Sequence, residues 1–254
     1  MNRNSDISLS IITSSNLKER YKACMNTWVK DFKNVYFFGG YIKDENLISI
    51  ESAGEDYQSH FLKQQLGFKY MYEKNPDSDW YATIGCDGIV YKERALKMLS
   101  QYDRNKDFIL GQTCGTWTDQ PFIMEIEKET DDARKFTAMA GGGPIFISNS
   151  LMKKCYGIID EFNSLWIRVS GHNYPYSDVA LSYMVKMYFG VEATFIPNIL
   201  GQRPDHYESA LQGADHMKYY QDYPISLNDA LAEPISFHYI KPFEMEEIYK
   251  KYKN

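Results

Sequence analysis

The order of apolar and polar positions predicts strands alternating with helices. Ile7-Ser-Leu-Ser-Ile-Ile-Thr13 alternates and then turns wholly apolar, which marks a first strand, and it runs into the polar stretch Thr13-Ser14-Ser15-Asn16. Leu17 to Phe32 sets Leu17, Tyr21, Cys24, Met25, Trp28 and Val29 at helical spacing, and Val35 to Gly39 forms a second buried strand. A β-α-β opening favours a parallel sheet of nucleotide-binding type. It places Thr13 and Ser14 in the loop where a base or phosphate would meet backbone N–H groups, although such loops also serve simply as helix caps.

The alternation continues down the chain. Leu47 to Glu51 is a short strand, Tyr57 to Glu73 is a helix with an apolar stripe, and Asn75-Pro-Asp-Ser-Asp79 breaks it ahead of the strand Trp80 to Ile84. That strand ends in Gly85-Cys86-Asp87-Gly88, so a carboxylate flanked by glycines sits at a strand tip. In open α/β sheets, ligands bind in the crevice beyond the carboxyl ends of the strands. Asp87 is therefore the first candidate metal ligand, the competing reading being a tight turn of ordinary Asp-Gly chemistry. Lys92 to Tyr102 reads as a helix and Phe108 to Gly111 as a strand.

Phe136 to Ser148 carries three glycines, Gly141 to Gly143, between apolar flanks, either a bend between strands or a floor on which a ligand meets bare backbone. No Lys-Ser/Thr follows, so it is not a phosphate loop. Asn149 to Ile159 is a helix, and the loop Gly171 to Asp178 leads into another that ends near Phe189. Asp178 lies in the first turn of that helix, where an aspartate often only complements the dipole. Val191 to Pro197 is a late strand, Gln202 to His206 a polar loop, and Ile235 to Ile240 a last short strand with His238 in its middle, where a histidine is commonly just a hydrogen-bonded core residue. Lys241 to Met245 starts a C-terminal helix. Without a repeat, linker or low-complexity segment, residues 1–254 are expected to form one domain.

Composition narrows the functions. A chain of 254 residues, 44% hydrophobic, supports a real core, and its net charge of −6 without a basic block argues against a nucleic-acid surface. An anionic ligand would need a cation beside the carboxylate. The 21 tyrosines suit sugar faces, a weak hint because tyrosine is common in strands. Cys24, Cys86, Cys114 and Cys155 are too scattered for a zinc site or a disulfide framework and are expected to be reduced thiols. No run of 18 apolar residues occurs, so a soluble protein without membrane association is expected, in the cytoplasm or, with an anchor removed, in the secretory-pathway lumen.

Several of these stretches resemble, in order, the Fringe-like and core-1 β-1,3-glycosyltransferases. Arg20 to Trp28 is similar to that family's R-R-x-x-I-R-x-T-W helix, with Met25 where an arginine is usual. Trp80 to Val90 is similar to its W-x-x-x-x-D-D-D-x-Y-V segment, with the triple acid reduced to Gly85-Cys86-Asp87. Gly141-Gly142-Gly143-Pro144 is similar to its G-G-A-G segment, Ser177-Asp178-Val179 to its E-D-V, and Phe237-His238-Tyr239-Ile240-Lys241-Pro242 to the core-1 ending. The resemblance implies a GT-A fold, a mixed, mainly parallel Rossmann-like sheet flanked by helices.

It also implies an inverting transfer of a sugar from a UDP-sugar to an acceptor hydroxyl, in β-1,3 linkage, on a glycan or glycoprotein. Asp178 would be the catalytic base, with Mn²⁺ or Mg²⁺ on Asp87 and His238, His206 being the second choice for the histidine. Thr13, Ser14 and Arg20 would serve the nucleotide, and Gly142 and Gly143 the donor sugar. The Gln112 to Lys135 and Ile167 to Tyr176 stretches would set donor and acceptor choice. The chemistry asks for such parts, because the acceptor hydroxyl must lose a proton while the leaving diphosphate gains charge. The rival from another class is a non-catalytic relative serving as chaperone, scaffold or carbohydrate-binding module, for which the loss of two acids at Gly85 and Cys86 speaks.

Overall fold

The structure, a computed structural model, describes residues 6–117, 136–170, 176–212 and 225–253. The strands are β1 (Ile7–Ile12), β2 (Asn34–Gly39), β3 (Ile48–Ser49), β4 (Trp80–Gly85), β5 (Ile89–Val90), β6 (Ile109–Gly111), β7 (Thr113–Trp117), β8 (Phe136–Met139), β9 (Ile145–Ser148), β10 (Ala193–Phe195) and β11 (Ser236–Phe237). The helices are α1 (Lys18–Asn26), α2 (His60–Lys74), α3 (Lys92–Leu99), α4 (Asn149–Tyr156), α5 (Ile159–Ser170), α6 (Ser177–Phe189), α7 (Pro204–Leu211), α8 (Leu227–Ala232) and α9 (Met245–Lys253).

A seven-stranded sheet in the order β10-β6-β9-β4-β1-β2-β3 forms the centre. Its neighbours run parallel except at β9, which is antiparallel to both β4 and β6. The fold is thus the expected mixed, mainly parallel sheet flanked by helices. The period-2 alternation of the strands divides their side chains between two cores. Ile7, Leu9 and Ile11 of β1 and Trp80, Ala82 and Ile84 of β4 join Tyr21, Trp28 and Met245 on one face. Phe38 of β2 and Tyr81 of β4 join Phe61 and Phe68 of α2, Trp166 of α5 and Tyr183 of α6 on the other.

Local chemistry explains where the elements depart from the sequence expectation. The helix expected over 17–32 breaks at Thr27, whose φ of −116° and ψ of −111° are not helical and whose hydroxyl bonds back to Ala23 O at 2.7 Å; a 3₁₀ turn, Trp28–Asp31, follows. His206 does not lie in a loop, because Pro204 takes the first turn of α7, a position that loses nothing by lacking an N–H. Nor is His238 in mid-strand: β11 stops at Phe237, and Tyr239 turns the chain with a left-handed φ of 58°. Helix α5 was not foreseen at all.

Candidate active site

Strand pairing brings the metal candidates together. β11 pairs antiparallel with β5, Phe237 opposite Ile89, and Ile240 N donates to Asp87 O at 2.8 Å. The residue after β11 therefore lands beside the tip of β4. His238 Nε2 is 3.0 Å from Asp87 Oδ1, and Arg20 Nη1 of α1 is 3.2 Å from Asp87 Oδ2. Burial works against the charged form of Asp87, but the His238 contact and the Arg20 charge outweigh it and hold the carboxyl below its ordinary range. His238 Nδ1 is buried without a hydrogen-bond partner. The left-handed Tyr239 next to it stores strain of about 1–3 kcal/mol of the kind found at ligand sites.

Asp178 comes from the first turn of α6. Its Oδ2 accepts from Gly141 N at 2.7 Å and its Oδ1 from Val179 N at 2.9 Å, so it fastens the glycine turn between β8 and β9 to the helix. The N-cap residue, Tyr176, makes no side-chain cap bond, and Asp178 itself satisfies a first-turn N–H, that of Val179, while its other oxygen reaches out of the helix to Gly141. Burial pushes its carboxyl above the ordinary value, against the pull of the Val179 and Gly141 N–H groups. A carboxylate raised in this way is a better proton acceptor.

Asp87, His238, Arg20, Asp178, Gly142 and His206 all line one cavity of about 1050 Å³ at the carboxyl edge of the sheet, a volume at the top of the range for ligand sites. A smaller cavity of about 580 Å³, lined by Lys33, Lys74, Asp77 and Lys92 among others, opens at the other end of β1 and β4. Three expected site residues do not line the larger one. Thr13 turns its carbonyl to the buried Lys63 Nζ at 3.0 Å, and Ser14 Oγ accepts from Asn16 N at 3.1 Å as a cap. Gly143 packs inward: a Cβ there would stand 2.4 Å from Ile199 Cγ2. Gly142 is pressed against Gly201, whose carbonyl oxygen would be 2.6 Å from an added Cβ.

Sequence reasoning missed His60, Tyr57, Gln202 and Tyr239, which also line this cavity. Tyrosine-richness is the only sign of Tyr57, whereas Tyr239 stands beside His238 in the stretch that resembles the core-1 ending. Of the stretches expected to set donor and acceptor choice, 118–135 and 171–175 lie outside the described residues.

Among the described residues no group of three or more His, Cys, Asp or Glu gathers as a metal cage. Asp87 and His238 offer a carboxylate and an imidazole donor, a mixed set that fits a Mn²⁺-like ion better than Mg²⁺, which favours oxygen ligands, and any such ion would need further ligands from outside this pair. Cys86 contributes nothing ionic, because burial pushes its thiol up to about 11. All four cysteines are free, and among the described residues no helix is long and apolar enough to cross a membrane.

No curated protein matches the sequence. Among solved structures, the chain is similar to the glycosyltransferase GlyE of Streptococcus pneumoniae TIGR4, at 12% identity and a TM-score of 0.53, over 98% of this chain and 61% of that one. It is similar to the galactosyltransferase LgtC, solved with donor and acceptor sugar analogues, at 12% identity and a TM-score of 0.51, over 92% of this chain and 87% of that one. It is also similar to the bifunctional glycosyltransferase WbbM, at 13% identity and a TM-score of 0.53, over 100% of this chain and 50% of that one. The chain thus spans less than two thirds of GlyE and half of WbbM, and the shared feature is the GT-A fold. The profile of the Fringe-like family matches residues 2–246. Extending over nearly the whole chain, that match shows that the chain belongs to the Fringe-like family.

Proposed function

We propose that this protein transfers a sugar from a UDP-sugar to an acceptor hydroxyl of a glycan or glycoprotein, with inversion at the anomeric carbon and formation of a β-1,3 linkage. The observation that carries the reading is the sharing of one cavity by a half-buried carboxylate, Asp178, and a carboxylate–imidazole pair, Asp87 with His238. Asp178 accepts the proton of the attacking hydroxyl, and the N–H groups of Gly141 and Val179 hold its two oxygens in place for that. Asp87 and His238 would hold Mn²⁺ or Mg²⁺, and when bound the ion would supply positive charge for the leaving diphosphate. Arg20 adds a permanent positive charge on the same side. Gly142, packed on Gly201, forms part of the cavity wall on the sugar side, while Thr13 and Ser14, whose carbonyl and hydroxyl are engaged by Lys63 and Asn16, do not line the cavity.

Calorimetry with UDP, with and without Mn²⁺, tests the donor side, and transfer from UDP-hexoses to simple glycosides tests the chemistry. UDP affinity that rises with the cation, together with transfer lost in Asp178→Asn, is the expected result. Cation-dependent UDP binding with no transfer to any acceptor would favour the non-catalytic reading, for which the replacement of two acids by Gly85 and Cys86 speaks.

A further inference from the structure

A histidine outside the metal and base assignments lines the cavity. His60 is the first residue of α2, Ser177 is the first residue of α6, and the two helix starts are joined by His60 Nδ1 and Ser177 Oγ at 2.8 Å. Ser177 directly precedes Asp178, and the charges of Asp87 and His238 both act on the His60 ring. His60 is thus tied through Ser177 to the segment that carries Asp178, and it lines the same cavity as Asp178 and Asp87, where the transferred sugar must lie if those two have the roles proposed above. Tyr57 flanks the ring, centroids 6.3 Å apart and planes 33° apart, and lines the same cavity.

We propose that His60, oriented by Ser177, hydrogen-bonds a hydroxyl of the transferred sugar and so sets donor specificity. The proposal rests on the UDP-sugar reading. Burial, reinforced by the Lys63 charge, holds the imidazole at about 4, so the ring is neutral at physiological pH. A neutral imidazole has one N–H and one bare nitrogen. With Nδ1 engaged by Ser177, Nε2 takes the opposite role toward the cavity: a donor if Ser177 donates to Nδ1, an acceptor if Nδ1 donates to Ser177. Either role suits a hydroxyl, and neither suits a phosphate as well as Arg20 does. A site built to hydrogen-bond a hydroxyl discriminates sharply against a sugar that presents it elsewhere.

The test compares affinities for UDP, UDP-glucose, UDP-galactose and UDP-N-acetylglucosamine, with Mn²⁺ present, in the wild type, His60→Asn and His60→Gln. Asparagine keeps an amide near the place of Nδ1, preserving the Ser177 bond without reaching the cavity; glutamine puts its amide near the place of Nε2. Expected are a wild-type preference among the hexoses of about tenfold, its collapse in His60→Asn, its partial retention in His60→Gln, and UDP affinity within about twofold throughout. A merely structural role predicts the reverse order, with His60→Asn keeping the wild-type preference, and that result overturns the proposal. So does a wild type that binds all three UDP-hexoses equally. A wild type that binds no UDP overturns the donor reading and this proposal together, whereas normal UDP binding with an unchanged preference in His60→Asn overturns this proposal alone.

Discussion

Replacing Asp178 with asparagine separates catalysis from structure. Asp178 accepts two backbone hydrogen bonds, from Gly141 N at 2.7 Å and Val179 N at 2.9 Å. Asparagine has one oxygen for two N–H groups, so one charge-assisted bond is forfeited, at a cost of about 1.5–3 kcal/mol. Against this stands the relief of a partly buried charge. Because the folded state raises the Asp178 pKa, the stability linked to this group is fully present below the unfolded pKa and is lost as pH rises through the folded one. At neutral pH the ionised carboxylate is therefore a net electrostatic liability, which asparagine removes. The net loss is on the order of 1 kcal/mol, a fall in Tm of about 2–4 °C for a chain of this size. Turnover should fall by about 10²–10⁴-fold, or about 3–5 kcal/mol in the barrier, with UDP affinity nearly unchanged. The assay is the transfer rate at saturating donor across a pH series, alongside calorimetry and thermal unfolding. Wild-type turnover should rise with pH through an acid limb displaced above the ordinary carboxylate range, and the variant should lack that limb. A variant within tenfold of wild type, or one that keeps the limb, refutes Asp178 as the base.

Other perturbations follow from the same geometry. Asp87→Asn should abolish most of the Mn²⁺ dependence of UDP binding, and unchanged affinity and metal response in calorimetry would show the cation site to be misplaced. His238→Ala should weaken Mn²⁺-dependent UDP binding by about 10-fold or more while His206→Ala changes it less, because His238 Nε2 stands 3.0 Å from Asp87 Oδ1; an unfolded His238→Ala protein, seen by circular dichroism, would make it a core histidine instead. Gly142→Ala sets a Cβ 2.6 Å from the Gly201 carbonyl, so it should cost about 1–3 kcal/mol in urea unfolding and weaken donor binding. Gly143→Ala meets Ile199 Cγ2 at 2.4 Å, away from the cavity, and should lower stability while leaving UDP affinity alone.

The sheet and most of its helices were legible because their signals are local. β1 and β4 each alternate between two buried faces, and Asp87 follows a strand into a glycine-flanked turn, so both the strand and the tip could be seen in a dozen residues. Helix α5 goes unread in the sequence, although Ile159, Phe162 and Trp166 bury one face of it, because the helix expected from Asn149 ends at Ile159 and the loop expected at Ile167 to Tyr176 overlaps the last turn of α5. What could not be read was contact between distant segments. β7 finds its partner only in β8, across residues 118–135. His60 looked like one position on an amphipathic helix, and its chemistry comes from Ser177, 117 residues away. Thr13, Ser14 and Gly143 were taken for ligand-facing residues by their place at strand ends, but a strand end also carries carbonyls and turns that the protein itself uses, here for Lys63, for the N–H of Asn16 and for packing on Ile199.

The two missing acids bear on how the proposed cation is held. A Cβ on Gly85 would lie 2.9 Å from Asp87 Oδ1 and 3.9 Å from His238 Nε2, so an aspartate at that position would set a second carboxylate against the first. Two carboxylates that close raise each other's pKa and favour a resident cation that relieves them. In this chain glycine removes that pressure, Cys86 stays a neutral thiol, and the single charge of Asp87 is already met by Arg20 at 3.2 Å. The pair formed by Asp87 and His238 is thereby left with weak intrinsic demand for an ion and with only two donors to offer one. In the proposed reaction a diphosphate supplies both the missing negative charge and the missing ligands, so cation and nucleotide should bind with strong mutual dependence, each tightening the other by the same factor.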